Sequence, residues 1–441
     1  LSGRRARGDA CGDRVVSARV RAMDVVVVGG GPAGLAAAAA AAEGGRQVLL
    51  IDQGRRLGGQ IWRHRRSAHL PLEAQALLDR VRAARVTVAS EARVLDASSP
   101  TALVVDFRGR VDVQPTEQLI LATGAIERFL PFPGWTLPGV TGVGGLQALH
   151  KSGLPLTGTR VVLSGSGPLL FPVASSVVKA GAQLRLVAEQ ASRGAWLAFG
   201  AALRHDMSKI GLAARYRWSF IGTPFRTGSW IVRAEGDERV REVVMSVHGR
   251  ERRIPCDWLG ASFGLVPNTE LARLLGCGLT GDAITVDATQ QTTIAGVYAV
   301  GECTGVKGEG PGVAEGEIAG RAAAGDLGAV ADAGLRRTRE LGRRFSEALA
   351  RAFAPREELL ALAAPETILC RCEDVRVGAV DPGWSARQAK LWTRVGMGSC
   401  QGAVCGEACK LLYGWEGNSA RPPLGGPPLG AWGEALGRPA E

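Results

Sequence analysis

Lysine is nearly missing from this 441-residue chain. It occurs only at Lys151, Lys179, Lys209, Lys307, Lys390 and Lys410, so the formal charge of +11 rests on arginine. Aromatic residues make up only 5% of the chain, and the arginines form no stripe interleaved with them. A single-strand nucleic-acid groove needs that interleaving, so nucleic acid is not an expected partner. Abundant alanine and glycine beside the arginine look like GC-rich coding rather than a selected basic face. There is no run of 18 or more apolar residues, and no transmembrane segment is expected. The five histidines show no metal-ligand spacing, and His64 and His69 lie among arginines as surface residues would.

Hydrophobic residues at 46% and charged residues at 22% describe a globular chain, long enough for two or three domains. Of nine cysteines, Cys370, Cys372, Cys400, Cys405 and Cys409 crowd into the last fifth, which favours metal over disulfide. Cys11, Cys256, Cys277 and Cys303 are scattered singly. Arginines in residues 1–22 precede an apolar stretch and mimic a leader. That apolar stretch reads instead as a nucleotide-binding strand. Met23 is the expected natural start, residues 1–22 a disordered extension, and the location cytoplasmic or peripheral to the inner membrane.

The chemistry begins at Asp24-Val-Val-Val-Val-Gly29-Gly-Gly31-Pro32-Ala33-Gly34. A buried parallel strand runs into a glycine turn and an alanine-rich helix. Gly29 permits the tight turn, Gly31 lets backbone approach a pyrophosphate, and Gly34 lets helix and strand pack closely. A second strand ends at Asp52, placed for a ribose hydroxyl. Small residues follow two further apolar runs, at Ala122-Thr123-Gly124 and at Gly301-Glu302, where backbone can pass close to a long ligand. The order repeats in Arg160-Val-Val-Leu-Ser-Gly165-Ser-Gly167-Pro-Leu-Leu170 and ends at Glu189. There Leu170 stands in place of the third glycine, and Glu189 would favour NAD over NADP. This second site holds NAD, holds another nucleotide, or is vestigial.

The first two motifs and the two later turns resemble the two-dinucleotide-domain flavoprotein superfamily, the glutathione-reductase fold. The resemblance implies FAD bound by Gly29, Gly31, Pro32, Ala33, Gly34, Asp52, Gly59, Gln60, Ala122, Thr123, Gly124, Gly301 and Glu302. Gly165, Gly167 and Glu189 would line the second site. The expected fold is α/β, a FAD-binding domain with an inserted NAD(P)-type domain. Its parts are 23–125 and 281–330 for the FAD domain, 126–280 for the insert and 331–365 for a helical connector. Leu335, Leu341, Phe345, Leu349 and Phe353 along that connector read as a packing stripe. The proline- and glycine-rich segment 417–441 reads as a disordered tail.

Cys370-Arg-Cys372 and Cys400-Gln-Gly-Ala-Val-Cys405 supply four thiolates, which suit either tetrahedral zinc or a [2Fe–2S] cluster. Their surroundings, from Ile368-Leu-Cys-Arg-Cys-Glu-Asp374 to Lys390-Leu-Trp-Thr-Arg394-Val-Gly-Met-Gly-Ser-Cys400, resemble the small all-α [2Fe–2S] domain of the bacterioferritin-associated-ferredoxin type, here over 366–416. From Met23 to Trp415, including Leu57-Gly-Gly-Gln-Ile61 and Gly308-Glu-Gly-Pro-Gly-Val-Ala-Glu315, the chain is similar to the α subunits of opine oxidase, hydrogen cyanide synthase and D-hydroxyproline or proline dehydrogenases. Ala403 departs from that pattern, where arginine is usual, and Cys409 is a candidate alternate ligand.

The resemblance implies an electron-transfer α subunit of a heteromeric amine or imino-acid dehydrogenase or oxidase, passing electrons from FAD to a [2Fe–2S] cluster. The implied partners are a small ferredoxin-like subunit together with a D-amino-acid-oxidase-like flavoprotein β subunit. Two other readings stay open: a stand-alone NAD(P)H-dependent flavoprotein reductase, and a non-catalytic flavin-bound scaffold. A disulfide reductase is disfavoured, because no paired cysteines follow Asp52 or sit in the second module.

Overall fold

The computed structural model describes residues 21–63, 70–204, 206–415 and 421–425; His64, His69, the first twenty residues and most of the tail lie outside them. In the strand Met23–Val28, Val25, Val26 and Val27 are fully buried, as a β-branched run between two layers should be. It lies parallel to Val48–Asp52 on one side and to the end of Arg110–Leu121 on the other, and Thr87–Ser90 forms the edge beyond Val48–Asp52. The strand Arg110–Leu121 changes partners halfway. Residues 116–121 run parallel to the first strand, whereas 110–115 pair antiparallel with Ala102–Phe107. Val297–Ala299 returns from far downstream to add a further parallel strand beside it.

The helix Pro32–Glu43 is almost all alanine, and residues 34–41 are buried. Its partner is Glu309–Ala323, which meets it through glycine. A Cβ at Gly316 would stand 2.3 Å from the Ala33 carbonyl oxygen, and one at Gly320 would stand 2.4 Å from that of Ala37. Only glycine lets these two helices close on each other.

The inserted unit is a parallel sheet in the order Phe225–Thr227, Gln183–Glu189, Arg160–Gly165, Trp258–Ser262, Val140–Thr141. An antiparallel layer, Ser229–Glu235, Glu242–Val247 and Arg250–Pro255, accompanies it. The chain enters and leaves through paired crossover strands, Ala125–Glu127 and Leu265–Pro267. The return therefore falls near Pro267 rather than at 280, because Leu271, Ala272 and Cys277 already pack in the core of the first unit.

The connector is a twenty-residue helix, Ala333–Ala352, capped by the Asp332 carboxylate on the Gly334 and Leu335 amides. After it comes the cysteine-bearing module, which differs from the all-helical expectation. Ile368–Cys370 and Val375–Arg376 form a short antiparallel hairpin before the helices Ala386–Thr393 and Gly406–Tyr413. The Leu424 amide donates to the Leu95 carbonyl at 2.6 Å, so residues 421–425 pack on the strand Ala92–Ser99, contrary to a structureless tail there. Among the described residues, no helix is long and apolar enough to cross a membrane.

Candidate functional site

Four segments far apart in sequence meet at one place. A Cβ at Gly29 would stand 2.2 Å from the Ala122 carbonyl oxygen, and one at Gly34 only 1.8 Å from that of Gly29. A Cβ at Gly301 would stand 2.8 Å from the Cβ of Ala33, and one at Gly59 3.0 Å from the Cα of Gly31. The turns at 29–34, 59, 122–124 and 301 thus form one cradle lined by backbone. Pro32 opens the first helix, and neither a side-chain cap nor a first-turn acid occupies its end. Such an end attracts an anion through its amides and its dipole.

Asp52 ties the cradle to the second strand. Its two carboxylate oxygens accept from the Gly30 and Gly54 amides, each at 2.6 Å. Burial pushes the carboxyl up against the pull of those two amides. A carboxylate offers about four lone-pair sites, so two remain for a ribose hydroxyl. Thr123 donates to the Asn268 carbonyl at 2.7 Å, and Gly124 holds a φ of +72°, so the 122–124 turn is pinned to the return crossover. Gln60 stands exposed at the rim. Backbone crowding at the glycines and the open helix end fit an extended, pyrophosphate-bearing cofactor such as FAD.

Behind the cradle lies a polar set that local sequence announced only in part. Lys307 and Glu315 form a buried ion pair at 2.7 Å, with Thr304 hydrogen-bonded to both and the Gly301 amide donating to Glu315 at 2.9 Å. The Glu302 carboxylate accepts from the Gly308 amide at 3.2 Å; burial pushes it up, against that amide and the charges of Lys307 and Lys209. Lys209 comes from the inserted unit. Its ammonium donates to the Lys307 carbonyl at 2.9 Å and sits 3.6 Å from the centroid of the Phe345 ring, and burial pushes it down to about 8. Glu315 stands in a glycine-rich run that offered a signal; Lys209, 98 residues from Lys307, offered none.

The second loop is built differently. A Cβ at Gly165 would stand 2.1 Å from the Ser262 carbonyl oxygen, so the turn is as tight as the first. Its helix, Leu170–Lys179, begins only at Leu170, whose side chain is buried among Val143, Leu146 and Val173. Glu189 is 0% exposed. Its oxygens accept from the Gly167 and Ala191 amides, both at 2.8 Å, and burial pushes the carboxyl up to about 8. Phe353, at the end of the connector helix, packs against this loop.

In the cysteine module the hairpin turn presses against the loop 396–405: a Cβ at Gly398 would stand 2.3 Å from that of Cys372. Burial pushes the Cys370 thiol up, against the neighbouring Gly396 and Glu373 amides, and the Cys409 thiol together with burial pushes the Cys405 thiol up. Cys370, Cys405 and Cys409 are buried, Cys400 is half-buried and Cys372 exposed. Among the described residues, no group of three histidine, cysteine or acidic side chains is drawn together as metal ligands. The two loops that carry the four expected thiolates are apposed and amide donors face Cys370, which suits a thiolate-bound cluster in donor chemistry. The thiols themselves do not converge.

This module is locked to the rest of the chain. Trp135 Nε1 donates to the Ile368 carbonyl at 2.6 Å, and Arg128 lies between Glu407 at 3.5 Å and Asp282 at 3.7 Å. Lys410 pairs with Asp282 as well, and one hydrophobic core runs from Phe132 and Ile231 to Cys405 and Ala408.

The model of the family pyridine nucleotide-disulphide oxidoreductase matches residues 23–323. The opine oxidase subunit from Agrobacterium tumefaciens (strain Ach5) is 33% identical over 408 residues, covering 81% of this chain and 79% of the relative. Hydrogen cyanide synthase subunit HcnB of Pseudomonas aeruginosa is 31% identical over 401 residues, covering 81% and 85%. Among solved structures, L-proline dehydrogenase from P. horikoshii superposes with a TM-score of 0.67 at 20% identity, over 93% of this chain and 79% of that one, a likeness of fold.

Proposed function

Since the chain belongs to the pyridine nucleotide-disulphide oxidoreductase family, among relatives named as subunits of opine oxidase and of hydrogen cyanide synthase, and is an FAD-dependent oxidoreductase, we propose that it is the electron-transfer subunit of a heteromeric enzyme oxidising amines or imino acids. Under this reading Cys370, Cys372, Cys400 and Cys405 would hold a [2Fe–2S] cluster, which would supply one-electron transfer beside the flavin. The observation that carries the proposal is the docking of the cysteine module, through Arg128, Trp135 and Lys410, onto the crossover that leads from the 122–124 turn.

When bound, a flavin takes up two electrons and a [2Fe–2S] centre one at a time, so the pair converts between the two kinds of transfer. The chain's own residues bind and orient. Gly31, Gly59 and the open end of the Pro32–Glu43 helix receive the pyrophosphate, and Asp52 accepts from the ribose. Glu302, Lys307 and Lys209 fix the polar end of the cradle. Val395, Gly396 and Gly398, all buried, keep water from one side of the cysteine loop. A second subunit, of the D-amino-acid-oxidase type, handles the substrate, and a small ferredoxin-like subunit is a further candidate partner. Leu391 and Trp392, 71% and 75% exposed beside the cysteine loop, supply an apolar surface such as a subunit contact needs.

Absorption and EPR spectra of the purified chain before and after dithionite, with iron and zinc analysis, test this reading. Flavin bands with about two irons per chain and a signal in the reduced state are expected. Flavin with zinc, or with no metal and no signal, overturns the relay.

A further inference from the structure

In a dinucleotide-binding unit the pyrophosphate lies on the glycine loop and the ribose near the acid at the end of the second strand. In the inserted unit this groove runs from Ser166 and Gly167 to Glu189 and Gln190. The loop has few amides to offer. Ser166 N donates to the Ser262 carbonyl at 2.8 Å, Gly167 N donates to Glu189 at 2.8 Å, and residue 168 is proline. Glu189 accepts from Gly167 and Ala191 and, unlike Asp52, is fully buried, so its remaining lone pairs are out of a ribose's reach.

Across the same groove lies the end of the connector. Ser166 Oγ donates to the Phe353 carbonyl at 2.9 Å. Gln190 Nε2 donates to Ser166 Oγ at 2.9 Å and to the Ala354 carbonyl at 3.0 Å. The Phe353 ring stands edge-on to Trp196 and Phe199, with centroids 5.1 and 4.9 Å away, and a Cβ at Gly167 would touch it at 3.6 Å. Arg356 reaches the Gln190 carbonyl at 3.5 Å and lies 4.8 Å from the Trp230 ring centroid. The segment thus takes up the Ser166 Oγ and Gln190 Nε2 donors, which would cost free energy if buried unpaired.

We propose that Phe353–Arg356 is a built-in occupant of the second dinucleotide groove. It closes the groove to NADH and NADPH, so the chain draws no hydride from nicotinamide, and it anchors the tether that carries the cysteine module. The flavin must then be reduced by another donor, which goes beyond the relay proposed above and does not depend on its cluster.

The test uses the full flavin-loaded chain, titrated anaerobically with NADH and with NADPH, following heat release and flavin absorbance. No saturable binding up to millimolar nucleotide and no bleaching are expected. Saturable binding or bleaching by either nucleotide overturns the closure, even if iron and the reduced-state signal are present; absent iron would sink the relay and leave the closure standing. The anchoring is read by limited proteolysis of the tether 354–366 in Phe353→Ala, with flavin content as the control. Cleavage faster by at least about tenfold is expected, and an unchanged rate overturns it. Should Phe353→Ala fail to fold, Ser166→Ala removes the hydrogen bond to Phe353 without emptying the core, and the same increase, or its absence, decides.

Discussion

The two glycine loops begin from the same order of strand, turn, helix, strand and acid, and they finish as opposites. At residues 29–34 the helix starts directly after Gly31, its end is uncapped, and the neighbouring turns are backbone, leaving a cradle shaped by what glycine lacks. At residues 165–170 the helix starts later, a leucine fills the space of the third glycine, and the chain's own Phe353 covers the turn. The acids diverge in the same way: Asp52 keeps contact with solvent, while Glu189 is sealed. A glycine fingerprint therefore reports a backbone shape. Whether a ligand can enter is settled by what lands on that shape from elsewhere in the chain.

Substitutions can break this contrast, and the largest effect belongs to the first loop. Gly34→Ala puts a methyl group where the Gly29 carbonyl stands. It is expected to cost upward of about 4 kcal/mol and to abolish flavin content, read from absorbance of the purified protein; a fully loaded variant would show that the helix can shift. In the second loop Leu170→Ala empties a buried side chain and is expected to cost about 2–5 kcal/mol in denaturant unfolding while flavin content stays unchanged. Loss of flavin there would mean that the two loops are coupled.

The acids sharpen the comparison further. Asp52→Asn removes a charged acceptor, and a loss of about 1.5–3 kcal/mol is expected as weaker flavin retention, measured by equilibrium dialysis. Unchanged retention would remove Asp52 from the site. Per pH unit, the smallest effect is a slope of stability with pH. The Glu189 carboxyl titrates at about 8 in the folded chain and near about 4.3 when unfolded. The folded state then holds the proton more tightly, so its contribution is complete below about pH 4.3 and is lost as pH rises through about 8. Stability should fall across that window by no more than about 1.4 kcal/mol per pH unit, and Glu189→Gln should flatten the fall. A slope that survives the substitution assigns it to another group.

What could be read in the sequence was local. Gly29, Ala122–Gly124 and Gly301 follow apolar strands, Asp52 ends one, and Gly31 and Gly34 lie in the turn and helix that come next, so strand and turn chemistry marked them without knowledge of the fold. Long-range pairing left no such trace. Nothing near Gly167 signals that Phe353, far downstream, lies on it, and nothing near Lys209 signals Lys307. The return crossover was misplaced because the residues after Pro267 keep an ordinary globular composition while changing cores. The hairpin at Ile368–Arg376 escaped notice because its strands are two and three residues long, below the reach of any periodicity.

The contact between the helices Pro32–Glu43 and Glu309–Ala323 bears on the order of events during synthesis. Ala33 and Ala37 wait for Gly316 and Gly320, and the strand Val297–Ala299 that completes the first sheet also arrives late. The ribosome must deliver the whole insert before either partner exists, and closing so long a loop is slow compared with local pairing. The nascent first helix, apolar on nearly every face, has only the early strands and the helix Leu72–Ala83 beside it during that interval. Flavin capture is accordingly a late step of biogenesis, and the face of the alanine helix that Gly316 and Gly320 later cover is the surface on which a chaperone would act.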